Sequence, residues 1–341
     1  MAKLLIRAGW LLTLLALLCW LVILLQPGSP IAAWLSTRLI IAQALAFPAL
    51  LALAGLGLLL LALPISLYPK ASWPTRLLAG LTALACLATS SLALTDPYGA
   101  GRRQKEGIPL IACHPYQEYR VTTYNAQNSL TAQSLERLLA NRPDFLVLPE
   151  VSADNPVLQQ ALNRYQLFSS QSQEEGIAPT LVLVSRHLGR YQAQEVAITF
   201  GGLILTPEEE GSGPTLLAVH TAPPLPSYMD RWRQDLASLE KVANDPRLDL
   251  IAGDFNATLH HGSLANYAGE NSRTGLDAAL SLNRIYGTWP ADGFLGLRAP
   301  IDHILVMQGP PARAHSLNYL KLGASDHLAL ASSIGLCPRG S

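Results

Sequence analysis

The chain has 341 residues, of which 24 are basic and 24 acidic, and half of its residues are hydrophobic. The equal charges hide a division, because residues 1–100 carry five basic side chains and one acidic one, whereas residues 101–341 carry nineteen basic and twenty-three acidic ones. An acidic soluble part disfavours extended binding of nucleic acid, since a basic stripe that neutralises phosphates normally supplies most of that affinity.

Three long apolar segments open the chain, at residues 4–25, 39–63 and 77–94. A bilayer core about 30 Å thick needs about 20 such residues, and each segment is near that length. The pattern predicts a membrane domain over residues 1–95 with three transmembrane helices, the second kinked at Pro48. A cleaved signal peptide is the alternative for the first segment; it is disfavoured because the apolar run is long and no small-residue cleavage site follows it.

The basic residues leave the orientation of these helices open, because four lie on each side of the membrane. The cysteines favour one orientation. Cys113 precedes the first predicted strand of the soluble part and Cys337 follows the last, so a disulfide can form if those strands are neighbours. Disulfides persist in oxidising compartments, which predicts a soluble part outside the cytoplasm. Two unpaired, small apolar side chains are the alternative.

Strands and helices alternate after a linker at residues 96–118 that is rich in Gly and Pro. The predicted strands are 119–124, 144–148, 181–185, 196–206, 216–219, 248–252, 301–307 and 328–334. The predicted helices are 131–141, 154–166, 228–243 and a short one near 275–282. Polar residues follow many of these strands, which is typical of α/β enzymes, because ligands gather where strands end. The soluble domain is assigned to residues 119–336.

The stretch 248–258, LDLIAGDFNAT, organises the soluble part. A buried strand ends there, and Asp254 and Asn256 follow at once. In an extended backbone these two side chains point to the same side. A carboxylate there can orient or deprotonate a water, and an amide can donate to a charged oxygen. An Asx turn without catalytic meaning is the alternative, and this stretch alone leaves both open.

Other strand ends carry further polar residues. Oxygen-rich ligands suit a hard cation such as Mg²⁺ or Mn²⁺, and the sequence has no Cys/His cluster with zinc spacing. Any one of these side chains is commonly a turn residue or a surface charge. The candidate site residues are Asn125, Glu150, His220, Asp254, Asn256, Asp302, Asp326 and His327.

Six motifs in order, TYNAQ, LPEV, VHTAPP, GDFNAT, IDHILV and SDHLAL, resemble the endonuclease/exonuclease/phosphatase superfamily. This superfamily includes pancreatic-type DNase, abasic-site endonucleases, sphingomyelinases and inositol-polyphosphate phosphatases. The resemblance covers residues 119–334 and implies an α/β fold, the DNase-like four-layer α-β-β-α sandwich, here preceded by three transmembrane helices. The anchored arrangement is similar to bacterial members with a few amino-terminal helices, which implies a location in a bacterial inner or cell membrane.

The resemblance also implies a metal centre. Glu150 is implied as the main metal ligand, with Asn125 beside the metal or the phosphate and Asp326 as a second metal or water contact. Pro149 stands where the family more often has Gln, which affects the surroundings of Glu150 rather than Glu150 itself.

The catalytic roles are likewise implied by the resemblance. Asp254 would orient or activate the attacking water, and Asn256 would donate to a phosphoryl oxygen. His327 would act with Asp302, which would fix its tautomer and raise its basicity. His220 would lie near the phosphate as a candidate general acid, although no acidic partner for it is evident. Asn125, Asn256 and His220 are thus the expected substrate-binding residues.

Several neighbouring aromatic residues are interpreted as structural. His303 alternates to the opposite face of its strand, and His260 and His261 are loop residues. Trp232, with its two arginine neighbours, fits an ordinary amphipathic helix better than a phosphate or headgroup contact. Trp289 is expected to pack near the mouth of the site without a chemical role.

These observations predict a membrane-anchored, divalent-metal-dependent phosphoester hydrolase that directs water at a phosphate ester. The motifs do not separate a phosphodiesterase from a phosphatase, and the anchor makes a lipid or another membrane-proximal ester attractive as substrate. The expected partners are therefore a phosphate ester and the lipid bilayer. The alternatives are an extracytoplasmic nuclease and a non-catalytic membrane scaffold that retains the fold.

Overall fold

Helices make up the amino-terminal part of the computed structural model, which describes residues 2–95, 117–269, 272, 274–294, 297–307 and 312–337. Within these residues, three helices are long and apolar enough to cross a membrane, at Lys3–Leu25, Pro48–Leu67 and Trp73–Thr95. The predicted number of spans is confirmed. Residues 96–116 of the predicted linker lie outside the described residues, as does Cys113.

The bounds of the second predicted span are wrong. In order, the helices are α1 (Ala2–Leu25), α2 (Pro30–Ser36), α3 (Ile41–Leu45), α4 (Pro48–Leu67) and α5 (Trp73–Thr95). Pro48 lies in the first turn of α4 instead of kinking a longer helix. Proline is favoured there, because its fixed φ suits a helix start and its missing N–H is not needed.

Strands dominate the soluble part. They are β1 (Gln117–Thr123), β2 (Phe145–Leu148), β3 (Tyr165–Ser169), β4 (Leu181–Ser185), β5 (Tyr191–Glu195), β6 (Gly201–Pro207), β7 (Leu216–His220), β8 (Leu250–Asp254), β9 (Leu276–Asp277), β10 (Asp302–Val306), β11 (Arg313–Lys321) and β12 (Leu328–Leu336). The helices are α6 (Ala132–Leu139), α7 (Met229–Ala243), α8 (Leu264–Ala268) and α9 (Ala278–Ser281).

The strands form two six-stranded sheets, in the orders β11-β12-β1-β2-β4-β3 and β5-β6-β7-β8-β10-β9. The pairs β1–β2 and β7–β8 are parallel, and the remaining pairs are antiparallel. Strands β2, β7, β8 and β10 are buried along their whole length. Burial on both faces explains why β2 reads as a continuous apolar run and the other three are apolar except for polar residues at one end.

The two sheets pack face to face, with Val147 of the first sheet and Leu250 of the second in the core between them. Helix α6 covers the outer face of the first sheet through Leu135 and its neighbours. Helix α7 covers the outer face of the second sheet, and Trp232 is buried there. The predicted four-layer α-β-β-α sandwich is confirmed.

The predictions failed at sheet edges. Residues 154–166 do not form the predicted helix; a 3₁₀ turn at Pro156–Gln160 leads into β3 instead. Strands β3, β5, β9 and β11, which were not predicted, are all edge strands. An edge strand is covered on fewer sides and carries more polar residues, so it lacks the apolar run on which a strand prediction depends.

Residues 26–47, here called the juxtamembrane segment, connect α1 to α4 and pack on the soluble part. The N–H of Gly262 donates to Oγ of Ser36 at 2.9 Å, and Nε2 of His261 lies 2.9 Å from the carbonyl oxygen of Ala42. Ala42 is buried in the core beneath α7. The segment joins the ends of two helices that are long and apolar enough to cross a membrane, and its contacts place it beside the soluble part.

Candidate active site

Three of the predicted residues lie in one row across the second sheet. His220, the last residue of β7, is the register partner of Asp254, the last residue of β8. Asp254 is also the partner of Asp302, the first residue of β10. Strand pairing therefore brings a histidine and two carboxylates to one edge of this sheet.

The first sheet supplies the other residues. Asn125 and Glu150 follow the parallel strands β1 and β2. Asp326 and His327 directly precede β12, which runs antiparallel to β1, so they enter at the same edge. Glu150 has a φ of +55°, a costly conformation for a residue with a side chain and one that clusters at functional sites.

Asn125 joins the two sheets. Its buried amide nitrogen donates to Oε1 of Glu150 at 2.9 Å and to Oδ2 of Asp254 at 3.0 Å. Its oxygen accepts the N–H of Gln127 at 2.9 Å. Asn125 therefore faces the carboxylates through its NH₂ group and holds them side by side, while its predicted place beside a metal or phosphate stays a prediction.

Asp254 and Asn256 do not follow an extended backbone, because Asn256 has a φ of +45°. The premise that an extended chain aligns them is therefore wrong. Oδ1 of Asp254 accepts the N–H of Asn256 at 2.8 Å, which is the Asx turn considered as the alternative. The other oxygen, Oδ2 of Asp254, faces the site and accepts from Asn125. Asp254 therefore closes the Asx turn and is also a site residue. The amide of Asn256 donates to the carbonyl oxygen of Thr221 at 3.0 Å and keeps one N–H for another acceptor.

His327 lies among carboxylates. Its Nδ1 is 2.8 Å from Oδ2 of Asp302, and its Nε2 is 3.8 Å from Oδ2 of Asp254 and 3.8 Å from Oδ1 of Asp326. Burial alone would lower the pKa of His327, but the carboxylates of Asp302 and Asp254 raise it to about 10. The predicted His327–Asp302 pair is present, and its imidazole is protonated at pH 7.

The surroundings of His220 lower its pKa, in contrast to those of His327. Its Nε2 lies 3.6 Å from Oε1 of Glu150 and 3.7 Å from Oδ2 of Asp254, while its buried Nδ1 has no hydrogen-bond partner among the described residues. Burial lowers the pKa of His220 to about 4, although Asp254 raises it in part. A neutral imidazole has no surplus proton to donate, so this setting disfavours the predicted general-acid role, and His327 is the better placed acid.

Two residues without a predicted chemical role hold the site residues in place. Nε1 of Trp289 donates to Oδ2 of Asp326 at 2.8 Å, and the expected position of Trp289 near the site mouth is confirmed. Oγ of Ser325 donates to the carbonyl oxygen of Asn125 at 2.6 Å and accepts the N–H of His327 at 3.1 Å. The position of Ser325 in the SDH motif could have indicated this role from the sequence. No spacing pattern in the sequence indicated the hydrogen bond from Trp289 to Asp326.

The structural interpretations are confirmed. Nδ1 of His303 lies 2.8 Å from Oδ2 of Asp277 and its Nε2 lies 2.8 Å from the carbonyl oxygen of Ala257, away from the row described above. His260 and His261 are buried in the loop after β8. Trp232 is buried in the core, so a headgroup contact by its indole is wrong.

The donor set fits a divalent cation. Asp254, Asp302 and His327 each place one ligand-type atom within 4.8 Å of the others. Oδ1 of Asp302 is buried and has no hydrogen-bond partner among the described residues. Because His327 is protonated, the carboxylates are the better ligands, and hard cations prefer such oxygens. Glu150 and Asp326, two of the predicted ligands, line the same cluster.

Two packed mixed sheets with outer helices, and an acidic site where strands of both sheets end, define the DNase-like class of α/β sandwich. The sequence model of the endonuclease/exonuclease/phosphatase family matches residues 122–327, and the chain belongs to this family.

Solved structures share the fold. A zebrafish (D. rerio) TDP2 humanized by 14 mutations is 17% identical, with a TM-score of 0.51, over 64% of this chain and 98% of that one. D. rerio TDP2 in complex with a single-strand DNA product is 18% identical, with a TM-score of 0.50, over 64% of this chain and 99% of that one. No curated protein matches the chain.

Proposed function

We propose that the chain is a membrane-anchored, divalent-metal-dependent phosphoester hydrolase. The observation that carries this proposal is the meeting of Glu150, Asp254 and His327, contributed by both sheets, around the amide of Asn125. Phosphoryl transfer needs positioning and charge stabilisation more than covalent chemistry, and this cluster supplies both.

Asp254 is the residue placed to accept a proton from the attacking water. Burial and the neighbouring Asp302 raise the pKa of its carboxyl group, which makes its carboxylate a stronger base. The amide of Asn125 fixes the orientation of Oδ2 at 3.0 Å. The free N–H of Asn256 is available to a phosphoryl oxygen.

His327 is the residue placed to donate a proton to the departing oxygen. Its pKa of about 10 keeps both ring nitrogens protonated at pH 7. Asp302 holds Nδ1, so Nε2 carries the proton that faces Asp254 and the site. A divalent cation held by Glu150 and the neighbouring carboxylates, Mg²⁺ or Mn²⁺, would supply positive charge for the phosphoryl oxygens.

The test is a substrate panel on the full-length protein in detergent. The panel contains bis-p-nitrophenyl phosphate, p-nitrophenyl phosphate, and lipid, nucleotide and sugar phosphates, each with EDTA and after addition of Mg²⁺ or Mn²⁺. We expect hydrolysis that EDTA abolishes and the metal restores. Glu150→Ala, Asp254→Ala and His327→Ala should each lower kcat at least about hundredfold. His187→Ala, at an exposed histidine, is the control.

Full activity in all three variants would refute the site. Absence of hydrolysis together with absence of Mg²⁺ binding in calorimetry would favour a non-catalytic scaffold. A DNA affinity that falls steeply with salt would favour a nuclease; the fold likeness to TDP2 with bound DNA product motivates this arm, and the acidic soluble part argues against it.

We further propose that the chain is anchored in the cell membrane of a bacterium and that its soluble part lies outside the cytoplasm. Cys337 is disulfide-bonded, whereas Cys19 and Cys86 are free. A disulfide supports an oxidising compartment. The pairing with Cys113 stays a prediction.

A further inference from the structure

Among the described residues of the soluble part, the exposed large apolar side chains belong to two loops. Among the described residues after 116, the large apolar side chains that are exposed are Leu225, Tyr286, Phe294 and Leu297. They belong to residues 221–228 and to residues 282–294 and 297–301, here called the rim loops. Exposed apolar residues normally occur singly over a surface, so this confinement marks a contact surface.

Both rim loops border the candidate active site. The first begins directly after His220, and its Thr221 carbonyl oxygen accepts the amide of Asn256. The second contains Trp289, whose indole donates to Asp326, and the N–H of Ala291 donates to the carbonyl oxygen of Asp326 at 2.6 Å. The loops that carry the exposed apolar side chains therefore lie next to the site.

Both rim loops also contact the juxtamembrane segment. The side chain of Gln43 donates to the carbonyl oxygen of Pro224, next to Leu225. The ring centroid of Phe47 lies 6.2 Å from that of Trp289. Phe47 directly precedes the membrane-spanning helix α4, so the rim lies where α4 enters the bilayer.

The juxtamembrane segment has an apolar exposed face of its own. Ile31, Trp34, Leu39 and Ile40 are exposed there, while Ala42 on the opposite side is buried against α7. The guanidinium of Arg38 lies 4.7 Å from the ring centroid of Trp34. Indole rings and arginines next to membrane-spanning helices are typical of the bilayer interface. The segment and the rim loops, which meet at Gln43 and Phe47, thus both present apolar side chains next to α4.

We infer that the substrate is an amphiphilic phosphate ester of the bilayer, an inference that rests on the proposed hydrolase function. Its phosphate enters the site, while its hydrocarbon chains remain at the bilayer and contact Leu225 and Phe294. Water gives a proton to Asp254 and adds to phosphorus as one ester P–O bond breaks, and the departing alkoxide takes a proton from His327. A water-soluble phosphate ester would make no use of these two side chains.

The test compares two substrates with the same reacting group, hexadecyl p-nitrophenyl phosphate and methyl p-nitrophenyl phosphate. If the panel shows that only monoesters are cleaved, the pair is hexadecyl phosphate and methyl phosphate. The full-length protein is reconstituted in phosphatidylcholine vesicles, which take up the hexadecyl ester and leave the methyl ester in water. We expect kcat/KM for the hexadecyl ester to be at least about tenfold higher.

The double variant Leu225→Ser/Phe294→Ser removes the two apolar side chains. It should lower kcat/KM for the hexadecyl ester about tenfold and leave the value for the methyl ester within about twofold. The matched control, Gln192→Ser/Gln194→Ser, changes two exposed side chains on the edge strand β5 and should preserve both values.

The outcomes separate the two proposals. If the protein cleaves neither the hexadecyl ester nor the methyl ester, the result counts against the hydrolase function itself. Cleavage of the methyl ester with no preference for the hexadecyl ester overturns the inference alone. A hexadecyl preference that survives in the double variant also overturns it, because the rim would then play no part in recognising the chain.

Discussion

Nδ1 of His327 lies 2.8 Å from Oδ2 of Asp302, and this pair explains why the two histidines of the site differ. His220 is equally buried but has no carboxylate within hydrogen-bond distance, so burial dominates and its pKa falls. His327 faces three carboxylates, which outweigh burial. One imidazole is therefore neutral and the other charged at the same pH.

Asp302→Asn should weaken the dependence of stability on pH. The pKa of His327 in the folded chain, about 10, lies above its usual value of 6.5. The stability that this shift contributes is therefore fully present below pH 6.5 and is lost as the pH rises towards 10. We expect the Tm of the wild type, measured in detergent with EDTA, to fall across this range. The fall should be smaller in Asp302→Asn.

Gln192→Ser serves as the control for that measurement, because this side chain is exposed on the edge strand β5 and does not titrate. The wild type and Asp302→Asn also share every other titrating group near pH 10, so only their difference reports on His327. Equal slopes for the two proteins would show that the pair does not set the pKa of His327.

Asn125→Ala should impair catalysis more than folding. The substitution removes the amide that donates to Glu150 at 2.9 Å and to Asp254 at 3.0 Å, so the two carboxylates lose their shared partner. We expect kcat to fall about 10–100-fold, as is usual when a group that orients ligands is removed, and the Mg²⁺ concentration for half-maximal rate to rise. Gln127→Ala is the control, since Gln127 contacts Asn125 only through its backbone. An unchanged metal dependence would contradict the bridging role.

The central strands and the residues at their ends were predictable because a strand that is buried on both faces has a run of apolar residues in the sequence. Strands β7 and β8 are apolar throughout, and the polar residue that ends each of them, His220 or Asp254, stands out against that run. The order of the motifs then placed these residues in one site, as strand pairing shows.

Other features could not be predicted because they depend on contacts between distant segments. The protonation states of His220 and His327 follow from burial and from neighbours that no local pattern reports. Residues 39–47 of the juxtamembrane segment were predicted to begin the second membrane helix, because they are mostly apolar. Part of that apolar character serves another contact, since Ala42 is buried against α7. The bond from Trp289 to Asp326 likewise joins two loops.

Gly253→Ala should destabilise the protein and damage the site. Gly253 has a φ of +147°, and a Cβ atom there would lie 1.9 Å from the carbonyl oxygen of Val219 on β7. The strands that carry His220 and Asp254 would have to separate. We expect a loss of about 3 kcal/mol in the free energy of unfolding and a large loss of activity.

Gly211→Ala is the matched control for this change. Its φ of +79° is also unfavourable for alanine, but no atom lies within 4 Å of the added Cβ. It should cost about 1 kcal/mol and leave the rate of hydrolysis unchanged. Equal Tm values for the two variants would mean that the close approach of β7 and β8 at Gly253 is not needed for stability.

The thiols test both the disulfide and the side of the membrane. If Cys337 pairs with Cys113 in an oxidising compartment, only Cys19 and Cys86, which are free, should react with a maleimide–polyethylene glycol in denatured, unreduced protein. A gel shift should therefore count two thiols before reduction and four after it. Cys337→Ser should leave three reactive thiols without reductant, because the partner cysteine is released, whereas Cys19→Ser should leave one. Four reactive thiols in the unreduced wild type would reject the disulfide and would remove the main support for a soluble part outside the cytoplasm.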